Sequence, residues 1–362
     1  MKFGFEKRDR MPGYMRILNP VIFVILALAF CGILILTLGF NPLSVYTKML
    51  KSAFGTGRGL SQSILYSIPL MLCGLAVSVA FKMNLNNIGA EGQYAIGAFA
   101  ATAIVQFLPP MPVCIQLPVM FLVAIIAGAI WGGIAVLPKA FWDVNETIVT
   151  LMLNYVALLV LDYVCYGPWR NTTLTVPYTD TFPESAWLPN IPGTNIGIGF
   201  LIAIVVAIVI YLFFRFTTSG YQISVIRNSI SAAKYAGINI KKNIIIVMLI
   251  SGALAGMAGF VQVCGLTHKL QPNLPNNAGF TAIVIAYLSK FNPLVVILVS
   301  IFFGGLTTGS YAVQISGVPS QVATLIQGAI LLFVLAGEIF TRYKFSFSHK
   351  EKMVSANKGG EA

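Results

Sequence analysis

Apolar runs, most of them about 20 residues long, recur along the whole chain. A run of that length crosses the roughly 30 Å hydrocarbon core of a bilayer as an α-helix. The pattern predicts an all-α, polytopic integral membrane protein with one transmembrane domain over 20–338, and tails over 1–19 and 339–362. About ten transmembrane helices are predicted, at 20–39, 62–81, 88–107, 117–137, 147–166, 196–214, 244–265, 279–289, 293–309 and 319–338.

The eighth apolar segment, 279–289, is too short to cross the bilayer as a helix. It follows the run Gln-Pro-Asn-Leu-Pro-Asn-Asn over 271–277. A half-helix after such a broken polar segment is tolerated at membrane depth only where it lines protein or water. The segment therefore favours a transporter; the alternative is an outer loop followed by a tilted helix.

The first apolar run follows a basic tail, as the core of a secretory signal peptide would. It is about 20 residues long and lacks a small-x-small cleavage site, so it is interpreted as a retained first span. Glycines four residues apart predict close helix contacts at Gly128/Gly132, Gly252/Gly256 and Gly305/Gly309.

Composition and charge agree with this architecture. Hydrophobic residues make up 57% of the chain and charged residues 9%, where a soluble domain has about a quarter charged. If the N-terminus is cytoplasmic and the spans alternate, 18 of the 23 Lys and Arg fall in inside segments. This positive-inside bias places both termini in the cytoplasm. The net charge of +12 therefore orients the protein, and no nucleic-acid partner is expected.

The five cysteines are odd in number and show neither metal-ligand nor disulfide spacing, so they are interpreted as small core residues. No catalytic set and no metal site are predicted. The two histidines, His268 and His349, fall on opposite sides of the membrane in this topology, which argues against an integral-membrane enzyme.

Polar residues inside apolar spans are the candidates for a solute path. A carboxylate in hydrocarbon usually faces a bundle interior or a wet cavity, and Glu91 is the one acid placed well inside a predicted span. In a structural alternative, Glu91 is favoured by the dipole of the first helical turn or hydrogen-bonds backbone of a neighbouring helix. Asn154 and Tyr155 lie mid-span, so internal partners are expected for their polar groups. The full set of path candidates is Asn87, Glu91, Gln93, Asn154, Tyr155 and Gln262.

The largest inside loop, 215–243, is predicted to contain one short amphipathic helix. Its apolar face recurs at helical spacing in Tyr221, Val225, Ile226, Ser229, Ile230 and Ala233, and Gly237 ends it. Such a helix suits docking in a groove of another protein. Alternatively it lies on the membrane surface, helped by Arg227 and Lys234.

The longest outer loop, 167–195, combines five prolines with Trp169, Tyr178 and Trp187. It is predicted to be ordered by aromatic packing. Two roles stay open: a docking surface for an external partner, or a loop stacked on its own helices at the interfacial belt.

Four stretches, in order, resemble the permeases of bacterial ABC importers. Asn87-Ile88-Gly89-Ala90-Glu91-Gly92-Gln93 is similar to the Asn-Ile-Gly-x-Glu-Gly-Gln signature of the simple-sugar and nucleoside branch of the ribose/branched-chain amino acid permease superfamily. The resemblance continues in Asn145–Ile148 with Leu151–Tyr155, in Ala232-Ala233-x-x-x-Gly237, and in Ser251–Gly256.

The resemblance implies a permease subunit in the bacterial plasma (inner) membrane that forms a path for a small uncharged solute, namely nucleosides or, alternatively, simple sugars such as pentoses. It implies a second permease subunit in a heterodimer, two cytoplasmic ATPase subunits and an extracytoplasmic lipoprotein-type binding protein. It further implies ATPase coupling through Tyr221, Val225, Ile226, Arg227, Ala232, Ala233 and Gly237.

No cofactor is expected on this chain, because it lacks the Gly-x-x-x-x-Gly-Lys-Ser/Thr phosphate loop; ATP and Mg²⁺ belong to the partner subunits. A less favoured function is a secondary transporter that uses Glu91 as a proton or sodium coupling site.

Overall fold

The computed structural model of the protein describes residues 2–7, 13–109, 111–315, 317–319 and 321–348. Helices dominate this part of the chain, and most of the connections between them are short. In chain order they are α1 Gly13–Thr37, α2 Pro42–Phe54, α3 Gly57–Phe81, α4 Ala90–Phe107, α5 Val113–Trp142, α6 Glu146–Tyr166, α7 Gly199–Phe216, α8 Thr218–Asn228, α9 Ile230–Tyr235, α10 Ile240–Gln262, α11 Ala278–Leu288, α12 Pro293–Gln314 and α13 Gln321–Arg342.

Both ends of the described chain meet in a two-stranded antiparallel ribbon. Strand β1 covers Lys2–Lys7 and strand β2 covers Tyr343–Ser348, with Lys2 opposite Ser348. The helices next to the strands also pair antiparallel: Asn19 near the start of α1 donates a hydrogen bond of 2.8 Å to the carbonyl of Gly337 in α13, and Cys31, further along α1, lies at the earlier Leu325 carbonyl of α13. The all-α class is thus confirmed for the membrane body, and the ribbon lies in the segments predicted as tails.

Six described helices are each long and apolar enough to cross a membrane: α3, α5, α6, α7, α10 with the π-helical turn Val263–Thr267, and α12. A seventh span is possible if α1 from Val21 and α2 form one crossing with a bend of 117°. Every predicted segment contains a helix, but α11 has only 11 residues. The count of about ten spans and the cytoplasmic termini stay predictions.

The centre of the bundle is α3, which packs mainly against α12, α10 and α11. In its most apolar stretch 83% of α3 is buried, against 22% for the peripheral helices α5 and α7. Glycines let α10 touch α5 backbone to backbone, because a Cβ on Gly128 would lie 2.3 Å from the carbonyl oxygen of Gly252. A Cβ on Gly305 of α12 would lie 2.2 Å from the Phe54 ring of α2. The close contacts predicted from glycine spacing are therefore confirmed for these helix pairs.

Four of the cysteines are buried, as expected of small core residues, namely Cys31, Cys73, Cys165 and Cys264. Cys114, in the first turn of α5, is exposed, so the core interpretation is wrong for that residue.

The loop between α6 and α7, predicted to be the longest outer loop, is ordered by aromatic packing, as predicted. The Trp169 ring stacks on Phe99 of α4 with centroids 5.0 Å apart, and the Trp187 ring stacks on His268 at 4.2 Å. Backbone hydrogen bonds fasten the loop further, including one of 2.8 Å from the Leu188 N–H to the Cys264 carbonyl. The loop lies against its own helices; a role in docking an external partner stays a prediction.

Candidate functional site

A cavity of about 600 Å³ lies between α3, the end of α10, α12, α13 and the segment 271–278. Its described lining contains no Asp, Glu, Lys, Arg or His. Polar groups come instead from side-chain amides and hydroxyls, contributed by Tyr66, Tyr94, Gln262, Thr267, Gln271, Asn273, Asn276, Asn277, Thr281, Thr307, Ser310, Tyr311, Gln314, Gln321 and Thr324. Such a lining can hydrogen-bond an uncharged polar solute without a counter-ion.

One side of the cavity is the segment that precedes the half-helix α11. Asn273, Asn276 and Asn277 have φ values of +52°, +45° and +63°. Asparagine enters this left-handed region more readily than most residues, so the sequence suits a series of tight turns. The prediction of a half-helix that lines protein or water is confirmed: α11 is short, and its first residue, Ala278, lines the cavity.

A second wall is a polar stripe on α12. Thr307, Ser310, Tyr311 and Gln314 are spaced i, i+3, i+4 and i+7, which places them on one helix face. The Tyr311 ring lies 5.5 Å from that of Tyr66 on α3. Sequence reasoning missed these residues, although the stripe is readable as polar positions at helical spacing in an apolar segment.

Glu91 lies next to the cavity without lining it. Its carboxylate is 1% exposed and accepts hydrogen bonds from two backbone N–H groups at the start of α11, Asn277 at 2.8 Å and Gly279 at 2.5 Å. These N–H groups have no partner within their own helix, and the positive end of the helix dipole favours a carboxylate there. Neither ion pair formed by the described residues involves Glu91. The alternative of a bond to the backbone of a neighbouring helix is confirmed.

Asn87 and Gln93 belong to a buried network away from the cavity lining. The Asn87 side-chain amide donates to the Ser251 hydroxyl at 2.8 Å and to the Gln93 amide oxygen at 3.1 Å. Ser251 in turn donates to the Ala76 carbonyl at 2.7 Å. These bonds tie the turn before α4 to α10 and α3.

Asn154 and its neighbour Tyr155 have opposite environments. Asn154 is buried, accepts from the Gly92 N–H at 2.8 Å and donates to the Ile88 carbonyl at 2.8 Å. The internal partner expected for Asn154 is thus confirmed. The expectation for Tyr155 is wrong, because its side chain is 58% exposed on the outer face of α6. Of the six path candidates, Gln262 is the one that lines the cavity.

The predicted coupling helix is two helices, α8 and α9, rather than one. The chain breaks at Ser229, whose backbone is extended and whose side chain caps α9. The predicted apolar face is wrong in part: Tyr221 is 70% exposed, and Ile223 is buried together with Ile226 and Ala233. Val225 is half-buried.

Gly237 follows α9 with φ +70°, so its prediction as a helix stop is confirmed. Beside it, Ser231, Ala232, Tyr235 and Ala236 form an exposed surface, called here the α9 patch. The Tyr235 side chain is 98% exposed. Arg227 is exposed at the end of α8, and its guanidinium carbon lies 5.7 Å from the Phe291 ring centroid.

A buried central helix, a neutral cavity and a half-helix at that cavity are typical of a multi-pass membrane transport protein. Residues 59–335 match the family described as the branched-chain amino acid transport system permease component, and the chain belongs to this family.

Curated relatives match over nearly their whole length. The glucose ABC transporter permease protein TsgB13 of Haloferax volcanii is 32% identical, with 95% of this chain and 93% of the relative covered. The guanosine ABC transporter permease protein NupP of Bacillus subtilis is 33% identical, covering 88% and 92%. The nucleoside ABC transporter permease protein NupB of Lactococcus lactis is 27% identical, covering 88% and 90%. The chain is therefore a permease subunit of an ABC transporter, a transport component and not an enzyme.

Proposed function

We propose that the chain forms, within an ATP-driven importer, the translocation path for nucleosides. The observation that carries the proposal is the uncharged cavity with its amide and hydroxyl lining. Ribose hydroxyls and base edges are matched by amides such as Gln262 and Asn276, and the rings of Tyr66 and Tyr311 offer aromatic faces to a base. The relatives NupP and NupB, named for guanosine and nucleosides, support this substrate class.

Simple sugars, such as pentoses, are the second candidate by the same mechanism. The relative TsgB13 is named for glucose, and a neutral polar lining also suits a sugar, which presents hydroxyl groups on every side. The two candidates differ in whether a planar base is required.

The importer is proposed to contain a second, different permease subunit. Bacillus subtilis has two guanosine permeases similar to this chain, NupP at 33% and NupQ at 24% identity, which supports a heterodimer. Two cytoplasmic ATPase subunits with ATP and Mg²⁺, and an extracytoplasmic lipoprotein-type binding protein, complete the proposed complex. It lies in the plasma membrane of a bacterium, with both termini of this chain cytoplasmic.

The segment α8–α9 is proposed to receive the movement of the ATPases. The α9 patch offers exposed apolar area around Tyr235, while Ile226 and Ala233 fix α8 and α9 to the bundle. A surface that is apolar, exposed and firmly attached suits contact with a groove of a moving partner.

The test is uptake by proteoliposomes that contain the complete importer. Labelled guanosine, uridine, ribose and glucose are offered separately, each with the cognate binding protein outside. ATP-dependent uptake of the nucleosides, competed by other nucleosides and not by ribose, is expected. Uptake of sugars alone would select the second candidate, and ATP-dependent uptake of neither class would contradict both.

A further inference from the structure

The half-helix α11 joins the cavity to the segment assigned to the ATPases. Its 11 residues extend about 16 Å, at 1.5 Å per residue, which is about half the hydrocarbon thickness. Its N-terminal end belongs to the cavity through Asn277, Ala278 and Thr281. Its C-terminal end continues into a turn that lies beside the end of α8.

At the N-terminal end the attachment is made by Glu91 of α4. Both carboxylate oxygens accept hydrogen bonds from backbone N–H groups. The contact is therefore made to the backbone at the start of α11 and not to a flexible side chain. Gly279 is required for this approach, because a Cβ there would lie 2.3 Å from the Glu91 nitrogen and 2.8 Å from its carboxylate. The first turn of α11 and the start of α4 are thus held together.

At the C-terminal end the attachment is made by Phe291. Its ring lies 5.4 Å from Tyr287 and 5.9 Å from Phe81, and Arg227 of α8 covers it at 5.7 Å. Lys290 and Phe291 have φ values of +50° and +60°, a region that bulky residues adopt only when the surrounding packing holds them there. The turn is therefore defined by its contacts rather than by local preference.

The carbonyl of Arg227 also accepts a hydrogen bond of 3.2 Å from the Asn84 amide in the turn between α3 and α4. The end of α8 therefore contacts both the turn that leads to Glu91 and the turn that ends α11. A displacement of α8 reaches the two elements that meet at the cavity.

We infer that α11 transmits the movement of α8 to the cavity, and that Glu91 is the positioning residue that fixes its cavity end. The inference rests on the proposed function, which assigns ATPase docking to α8–α9. The Phe291 N–H donates a hydrogen bond of 3.0 Å to the Ala286 carbonyl, which ties the turn to α11. A continuous helix moves as a rigid body, so a shift at Phe291 displaces Ala278 at the other end of α11 as well. Glu91 is in this assignment neither a solute ligand nor an ion-coupling site.

The cavity end is tested by Glu91→Gln and Gly279→Ala in the complete importer, with ATP hydrolysis and solute uptake measured in the same proteoliposomes. Glutamine keeps one acceptor and loses the second, and alanine forces α11 away from Glu91. Uptake is expected to fall about tenfold with hydrolysis nearly unchanged, since a hydrogen bond to a charged group is worth about a factor of ten. Gly328→Ala is the matched control, because a Cβ there meets nothing within 4 Å.

The other end is tested by Phe291→Leu, which keeps an apolar side chain and removes the aromatic face under Arg227. Phe141→Leu is its control. Phe141 also lies under a basic residue, Lys241 at 5.6 Å, but it is near the end of α5 and not next to α11. More ATP consumed per solute in Phe291→Leu than in Phe141→Leu is the expected result.

An unchanged ratio of ATP to solute in Glu91→Gln, Gly279→Ala and Phe291→Leu would overturn the inference. A parallel loss of both activities would overturn it as well, since it would show a structural role alone. Failure of the proposed function is a different result: the unaltered importer would then show no ATP-dependent uptake of nucleosides or sugars.

Discussion

Adjacent side chains on a helix point about 100° apart, and on α6 this separates a structural residue from a surface one. Asn154 holds the Gly92 N–H and the Ile88 carbonyl, whereas Tyr155 is exposed. The sequence placed both in the middle of an apolar span and could not say which faced inward, because the neighbouring residues are apolar on all sides.

Asn154→Ala is expected to lower the stability of the permease by about 1–3 kcal/mol, because it leaves two buried backbone groups without partners. Tyr155→Phe is expected to change it by less than about 0.5 kcal/mol, as at other exposed positions. Thermal unfolding of the purified protein in detergent measures both. Equal losses in the two variants would contradict the assignment of Asn154 to the core and Tyr155 to the surface.

His268 makes the stability of the folded protein depend on pH. Burial lowers the pKa of its imidazole below the usual 6.5, so the folded protein favours the neutral ring stacked on Trp187. The unfolded chain binds the proton more readily, and stability is therefore full above about pH 6.5 and declines as the pH falls through and below that value. Unfolding temperatures measured between pH 5 and 8 follow this decline in stability, which is expected to be smaller in His268→Gln. Identical pH profiles for the unaltered protein and His268→Gln would contradict the role of His268.

At the scale of elements, the contact of α5 with α10 depends on the absence of side chains. A Cβ on Gly256 would lie 2.3 Å from the carbonyl oxygen of Ala124. Gly256→Ala is expected to destabilise the protein by about 1–3 kcal/mol through overpacking. Gly328→Ala, where a Cβ meets nothing within 4 Å, is the control and is expected to be neutral or slightly stabilising. Thermal unfolding distinguishes the two variants. Equal unfolding temperatures for Gly256→Ala and Gly328→Ala would contradict a tight interface between α5 and α10.

The α9 patch offers a second contrast between neighbours. Ala232 is exposed in the patch, and Ala233 is fully buried beneath it. Ala232→Glu is expected to abolish co-purification of the ATPases while the permease keeps its unfolding temperature. Ala233→Glu is expected to destabilise the permease itself, because it buries an unpaired charge. Retained ATPase binding in Ala232→Glu would argue against docking at this patch.

The positions of the long apolar helices were predictable from the sequence, because a bilayer demands long apolar runs wherever a chain crosses it. The division of the coupling segment into α8 and α9 was not predicted. Gly237 and the paired glycines were predictable for a similarly local reason, since their roles depend on backbone geometry and close approach. The hydrogen-bond partner of Glu91 was not predictable from the sequence, because Gly279 lies 188 positions away along the chain. The cavity was not predicted for the same reason, since the residues that line it come from segments as distant as Tyr66 and Thr324.

At the scale of the whole molecule, the energy source separates an ABC importer from a secondary transporter. Vesicles that hold only the two permease subunits are expected to show no concentrative uptake under a proton or sodium gradient, because the Glu91 carboxylate is already occupied by two backbone N–H groups. Addition of the ATPases, ATP and the binding protein is expected to start uptake. Gradient-driven accumulation without ATPases would contradict the assignment.

The terminal ribbon constrains the topology by parity. Strands β1 and β2 lie side by side, and α1 packs antiparallel to α13, so both ends of the described chain emerge on one face. If that face lies on one side of the membrane, the number of complete crossings is even. If α1 and α2 cross once as a bent pair, the helices long and apolar enough to cross total seven, and one of the remaining helices has to cross as well. Topology reporters fused to the two ends of the chain are therefore expected to lie on the same side of the membrane as each other, whichever side that is.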